Sequence, residues 1–421
     1  MASLLSRTGT RLLLAFRIPQ YRWLWVSSLS AAIGNNAFML AQGWLILELT
    51  DSAFMVGLGP GLSGITNLLF SPLGGVLADR YDRRVILVLW QSAQAAALLA
   101  LGAVAVIGDI QVWHILLVSA LLGVARALQG PARSSLMYDV VGRAALVNAM
   151  AGQFLAFNVA AILGAPAAGF AIAAFDPAVV LLATGLFFVA SAVAMVPLPG
   201  GRPGTAQAHQ AFFQSFTEGL RFALADRPIR AVLAAILVTE ALGFSTRSMF
   251  PIVVRDVLSA GPEVLGLLNM FSSIGGVAVT LVLSGLGDIP AKGRVFLVAA
   301  SGFGAFLLLF AFSRSIPLSL GLLLLNGGFG VAYDTLGSTL LQTLAPDHMR
   351  GRVMGLYSTL LSGFSIGALA MGAVANVWGV SIAIALGGGA VCLNALRLLP
   401  LAGQISARSA AAGPLAQPGS H

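Results

Sequence analysis

"GGVLADRYDRR", Gly74–Arg84, gathers Asp79, Arg80, Asp82, Arg83 and Arg84 into six residues of a chain in which only 9% of residues are charged. On either side of this knot stand apolar runs, near 54 to 77 and 85 to 107. Each is long enough to cross a bilayer, which takes roughly 20 residues. The same alternation of long apolar run and short polar break recurs along nearly all of the 421 residues, 58% of them hydrophobic. Soluble domains carry about a quarter charged residues, so the composition predicts a membrane protein with no soluble catalytic domain.

About twelve spans follow, near 21 to 47, 54 to 77, 85 to 107, 112 to 133, 145 to 174 and 178 to 198, then near 229 to 250, 263 to 287, 295 to 312, 316 to 341, 353 to 374 and 379 to 400. Backbone polar groups cannot stay unpaired in lipid, so continuous runs of this length must be helices. The expectation is an all-α membrane protein of two six-helix halves, 1–198 and 229–400. Between them, residues 199–228 open on Pro/Gly turn signals. They continue as a cytoplasmic linker with a short amphipathic helix, Phe212, Phe213, Phe216, Leu220 and Phe222 forming its apolar side. The small, polar, Pro- and Gly-bearing tail 401–421 cannot bury enough apolar surface to order itself and is expected to be disordered.

Cytoplasmic loops hold the excess of Lys and Arg. Of 23 basic residues, Arg247, Arg255 and Arg314 fall on one side and Arg126 within a span, leaving 19 on the side that holds both termini. That side is expected to be the cytoplasm, and the membrane the cytoplasmic (inner) membrane of a bacterium. The formal charge of +8 reflects this orientation rather than a nucleic-acid partner. Arg7, Arg11, Arg17 and Arg22 precede the first apolar run, but its length and its Asn35, Asn36 and Gln42 mark it as a span rather than a signal peptide.

Other classes fall away on residue counts. The one cysteine, Cys392, and the scattered His114, His209, His348 and His421 offer neither a disulfide framework nor a metal-binding pair. The only lysine, Lys292, is followed by glycine, so no phosphate-binding loop with a Gly-Lys-[Ser/Thr] ending exists and no cofactor is expected. "GFSIG", Gly363–Gly367, matches the serine-hydrolase pattern but lies inside a span, where its glycines suit close helix packing.

The two halves echo each other. "GVLADRYDRRVILV" is answered by "GLGDIPAKGRVFLV", with Asp79 against Asp288 and, after one extra residue, Arg84 against Arg294, the latter at an offset of 210 residues. "DVVGRAALVNAM" is answered by "TLAPDHMRGRVM", with Met150 against Met354, an offset of 204. Two similar offsets point to a duplicated six-helix unit, a pattern common in secondary transporters.

"GVLADRYDRR" resembles the signature loop of the major facilitator superfamily, Gly-x-Leu-Ala-Asp-Arg-x-Gly-Arg-Arg between spans two and three. The matching residues are Gly75, Asp79, Arg80, Arg83 and Arg84, while Asp82 stands at the family's glycine. Asp tolerates left-handed backbone better than most residues, so the turn is expected to survive. The resemblance implies that the aspartate and arginines latch the halves together while the cavity opens outward. The arginines alone would also be explained by membrane orientation; the aspartates would not.

"LGVARALQGPA" is similar to the family's Arg-x-x-Gln-Gly motif, with Arg126, Gln129 and Gly130 matching. An arginine within a span costs about 2.5–3.5 kcal/mol on insertion scales, so Arg126 must reach a partner, a water-filled cavity or the membrane surface. "GQFLAFNVAAILGAPAAGF" resembles the glycine-rich motif of exporters at Gly152, Pro166 and Gly169, but has Ala161, Ala165 and Phe170 where glycine is preferred. Residues 10 to 400 are similar in layout to the branch holding siderophore and macrolide exporters. That resemblance implies a monomeric, proton-coupled exporter of a small amphipathic organic molecule working by alternating access. An importer or facilitator of a small metabolite, and a non-transporting receptor or assembly protein on the same fold, remain alternatives.

Proton coupling needs a carboxylate in apolar surroundings. Glu240 and Asp334 lie inside spans and are the candidates, with Arg126 at a depth comparable to Asp334 by the repeat offset. The alternative reading is structural: Glu240 pairs with Arg247 at i,i+7 or with an outside loop, and Asp334 bonds neighbouring hydroxyls such as Tyr333 or Thr335. For the substrate cavity the candidates are Asn35, Asn36 and Asn158. Few charges and scattered amides suit an amphipathic molecule.

Overall fold

The computed structural model describes residues 14–200, 209–286, 289 and 291–411, the side chains of 209–215 and 411 excepted. Asp288, half of the first internal echo, lies outside them. Among the described residues there is no strand. The helices of the first part are α1 (Pro19–Thr50), α2 (Ala53–Arg80), α3 (Arg83–Ile107), α4 (Val112–Ala174) and α5 (Pro177–Met195). Then come α6 (His209–Ala225), α7 (Arg227–Val238), α8 (Pro262–Leu286), α9 (Lys292–Ala311) and α10 (Ile316–Leu344). The last four are α11 (Asp347–Leu361), α12 (Gly363–Trp378), α13 (Val380–Leu398) and α14 (Ala402–Ala411).

Sequence punctuates these helices in physical terms. Ser52, Asp82, Asp176 and Asp226 cap the starts of α2, α3, α5 and α7, each accepting a backbone N–H that the first turn leaves unpaired. Proline stands in the first turn of α1, α5, α7 and α10, where its missing N–H costs nothing.

Among the described residues, ten helices are long and apolar enough to cross a membrane, by length and composition. The expected count of twelve is reached only by adding α1 and dividing α4. α1 is not among the ten because Ser27, Ser28, Ser30, Asn35, Asn36 and Gln42 dilute its apolar run. Several of these groups are satisfied by neighbouring helices: the Ser27 and Ser191 hydroxyls lie 2.8 Å apart, and Gln42 accepts from Ser119 at 2.9 Å. α4 has 63 residues, which at 1.5 Å per residue is about 95 Å, some three times a hydrocarbon core of about 30 Å. It breaks at Gly142, whose φ of 66° and ψ of 177° no helix contains. The break falls between the expected spans 112–133 and 145–174.

α7 runs on through a π turn (Thr239–Gly243), a 3₁₀ turn (Phe244–Met249), one α turn (Phe250–Ile252) and a second π turn (Val253–Val257). The whole 31-residue segment Arg227–Val257 counts as one apolar helix.

Two compact units emerge, Met1–Gln207 with Ser259–Met270, and Ala208–Leu258 with Phe271–His421. In the first, α4 packs against α1, α2 and α3, while α5 packs against α1 and α3. Ser259–Met270, expected with the second half, groups with the first unit because small residues let backbones touch: a Cβ on Gly266 would stand 2.8 Å from the Ala165 carbonyl.

In the second unit, α9 packs against α10 and α13 around a core of Phe296, Leu297, Tyr333, Leu340 and Leu341. α6 lies on α11, tied by an ion pair of 2.8 Å between Glu218 and Arg352. Its Phe216 and Phe222 pack on that core, whereas Leu220, expected on the apolar side, is exposed. Phe212 and Phe213 lie outside the described side chains.

The tail expected to be disordered from 401 is helical through 411; residues 412–421 lie outside the described residues. Composition missed the spacing, since Ala402, Ile405 and Ser409 repeat on one helical face and all three are buried. α14 packs on α9 and α10, Ser406 accepts the Gly293 N–H at 3.1 Å, and the Arg408 guanidinium meets Asp226 at 2.5 Å.

Candidate functional site

The charge knot between α2 and α3 divides into anchored and unanchored groups. Asp82 does not take the left-handed backbone expected of it: its φ is −59°, and its carboxylate caps α3 by accepting the Arg84 N–H at 2.8 Å. An aspartate at the family's glycine position is therefore a helix cap. Arg83 donates to the carboxylate of Asp139 on α4 and to the Ala78 carbonyl at 3.3 Å. Arg80 is exposed, Asp79 and Arg84 are half-buried, and among the described residues no hydrogen bond or ion pair reaches the side chains of these three.

Sequence reasoning passed over two residues here. Asp139 lies 56 residues from Arg83, and only the pairing of α3 with α4 joins them. Gly74, rather than Gly75, is the close approach: a Cβ there would stand 2.2 Å from the Ala127 carbonyl oxygen of α4, while one on Gly75 meets nothing within 4 Å.

Across α1 and α4, Arg126 donates to the Asn35 side-chain amide oxygen at 3.1 Å and Arg133 to the Ser28 hydroxyl at 2.5 Å. Gln129, between them in sequence, turns instead to Gln94 on α3 at 2.8 Å. Asn35 thus joins Arg126, whereas Asn36 and Asn158 each donate to a carbonyl four residues back in their own helix. In the glycine-rich segment, a Cβ on Gly152 would stand 2.3 Å from the Tyr21 hydroxyl, one on Gly169 would stand 2.4 Å from the Pro262 carbonyl, and Pro166 lies against Gly266. All three sit at close helix crossings.

Within the second unit, Glu240 is buried in the π turn that follows α7. It interacts electrostatically with Asp334 on α10 and with Arg247. The expected i,i+7 ion pair is absent among the described residues: Arg247 lies 5.1 Å from the centre of the Phe244 ring and donates to the Ser272 hydroxyl at 3.3 Å. The π and 3₁₀ turns between the two residues break the α-helical register on which that spacing depends.

Asp334 accepts a hydrogen bond from Tyr357 on α11, not from Tyr333 or Thr335. Tyr333 points into the core instead, stacked on Phe296 with ring centres 5.1 Å apart, its hydroxyl buried and without a hydrogen-bond partner among the described residues. Nothing in the local spacing singles out Tyr357, 23 residues away. The "GFSIG" glycines serve packing beside this cluster, a Cβ on Gly367 coming 1.7 Å from the Ala241 carbonyl.

Two carboxylates, two tyrosines and an arginine therefore gather inside apolar helices, with no group of three or more potential metal ligands among the described residues.

Known proteins resemble the chain over most of its length. The multidrug efflux pump Tap of Mycolicibacterium fortuitum is 26% identical over 344 residues, covering 79% of this chain and 83% of the pump. The enterobactin exporter EntS of Escherichia coli O1:K1 / APEC is 26% identical over 389 residues, covering 91% of this chain and 92% of the exporter. Among solved structures, a POT family transporter in complex with a thioalcohol-conjugated peptide superposes with a TM-score of 0.74 at 9% identity, over 92% of this chain and 96% of that one. The model of the transmembrane secretion effectors, a family of major facilitator transporters, matches residues 11–414. Helical throughout its described spans and matched over nearly its whole length, the chain belongs to the transmembrane secretion effector family of the major facilitator superfamily.

Proposed function

We propose that the chain is a proton-coupled exporter of a small amphipathic organic molecule, working by alternating access in the cytoplasmic membrane of a bacterium with both termini in the cytoplasm. The observation that carries this reading is the buried Glu240 within electrostatic reach of Asp334, whose carboxylate is held by Tyr357. A carboxylate buried among apolar helices beside a second one is costly unless it serves an ion or proton pathway, which is what a proton carrier needs. The names of the relatives, a multidrug pump and a siderophore exporter, support export and an organic cargo. In this reading Asp79, Arg80, Arg83 and Arg84 form the gate latch, with Arg83 held in place by Asp139.

The test is transport by proteoliposomes under an imposed pH gradient, with a macrolide, a catecholate siderophore and 6-(dansylamino)hexanoate as cargo panel. Gradient-driven movement of at least one member is expected, with loss of coupling in Glu240→Gln or Asp334→Asn. If these variants, singly and together, left gradient-driven movement unchanged, or if no member moved, the reading would be wrong.

A further inference from the structure

The pairings between α1 and α4 form a ladder. Arg126 meets Asn35 and Arg133 meets Ser28, so residue numbers on the two antiparallel helices sum to 161 at both rungs. Seven residues separate the rungs on each helix, which is two turns, or about 10 Å along the axis and almost the same face. Between the arginines on that face lies Gly130, exposed, with nothing within 4 Å of the position a Cβ would take. The helix surface there is bare, open space between two guanidinium groups.

Neither arginine has an anionic partner among the described residues: both hydrogen bonds go to neutral oxygens. The acids of the same helices are engaged elsewhere, Glu48 accepting from Trp44 at 2.6 Å and Asp139 from Arg83. A structural arginine within a membrane helix is ordinarily paired with a carboxylate or with backbone carbonyls. Arg126 also keeps an exposed side chain, and a guanidinium is not left facing hydrocarbon, so the exposed side opens on water. A guanidinium held at one edge by a neutral amide still presents the remaining donors of its fork, the geometry that receives a carboxylate.

We propose that Arg126 and Arg133 with the bare surface at Gly130 form an anion-binding subsite, and that the cargo is an amphipathic organic acid whose carboxylate docks there. This deepens the export reading, on which it rests, by assigning the charge of the cargo. In the second unit, by contrast, Arg247 has Glu240 within electrostatic reach, so the unbalanced positive charge is a property of α4.

The experiment is equilibrium binding to the detergent-purified full chain with no gradient, using three dansyl probes that differ only in the head group: 6-(dansylamino)hexanoate, its carboxamide and dansylcadaverine. The carboxylate is expected to bind about tenfold more tightly than the carboxamide, the size of one charge-assisted hydrogen bond, and the amine more weakly still. Arg126→Gln and Arg133→Gln should each erode the carboxylate's preference over the carboxamide, and Arg126→Lys should keep part of it. Equal binding of the three probes, preference for the amine, no binding of the carboxylate, or a full preference in the double Gln variant overturns the proposal. Probe selectivity in the unsubstituted protein decides the matter even if a variant fails to fold. Because no gradient is applied, a carboxylate preference without proton-driven movement would uphold this subsite and refute the coupling, and the reverse result would do the opposite.

Discussion

Replacing Gly74 by alanine, with Gly75→Ala as its control, separates motif from geometry. The family pattern marks Gly75, yet the space there is open, whereas an added Cβ at Gly74 would stand 2.2 Å from the Ala127 carbonyl oxygen and 3.1 Å from its carbonyl carbon. Ordinary contact begins near 3.4 Å, so α2 and α4 must separate by about 1 Å, and the obstacle is backbone rather than a side chain that can swing aside. Overpacking of this kind costs about 1–3 kcal/mol. Alanine in place of a helical glycine returns about 1 kcal/mol at either position. Gly75→Ala should therefore be neutral or stabilised by up to about 1 kcal/mol, and Gly74→Ala should fall about 1–3 kcal/mol below it. Reversible unfolding in mixed detergent and SDS, followed by tryptophan fluorescence, measures the difference. A Gly74→Ala protein as stable as Gly75→Ala would show that the α2–α4 crossing is not set by this contact.

Two further substitutions probe the backbone in the same assay. Asp82→Ala removes the α3 cap and should lose about 1 kcal/mol, while Asp82→Asn keeps most of it and Asp82→Gly loses only a few tenths; equal losses for Ala and Asn would refute the capping role. Gly142→Ala forces a side chain onto a φ of 66° and a ψ of 177° and should lose about 1–3 kcal/mol, whereas Gly130→Ala, in open space, should show no such loss.

The fold was largely legible because lipid leaves helices as the form an apolar run can take, and the run lengths mark them. Legibility failed where tertiary context decides. α1 carries enough serine and amide groups to dilute its hydropathy, and only its neighbours reveal that Ser27 and Gln42 are satisfied. The tail looked too polar to order, but three small or apolar positions on one face suffice once α9 and α10 offer a surface. At the candidate site, Glu240, Asp334 and Arg126 were recognisable because a charge inside a span stands out. Their partners were not: Tyr357, Asn35 and Asp139 carry no local signal, and each is brought in by a different helix pairing. Asp82 illustrates the reverse case, a departure from a family pattern whose cause is local and visible only in the backbone.

Asp226 uses its two carboxylate oxygens for partners made at very different times. One oxygen caps α7 three residues on; the other receives Arg408, 182 residues later. At a synthesis rate of about 5–20 residues per second, roughly 10–40 s pass between the first bond becoming available and the second. During that interval Ile405 is not yet there to cover Gly293 at the start of α9. Of the helices described, α14 is the one synthesised last, so the Asp226–Arg408 bond and the cover over Gly293 form only after the rest of the described second unit has been made.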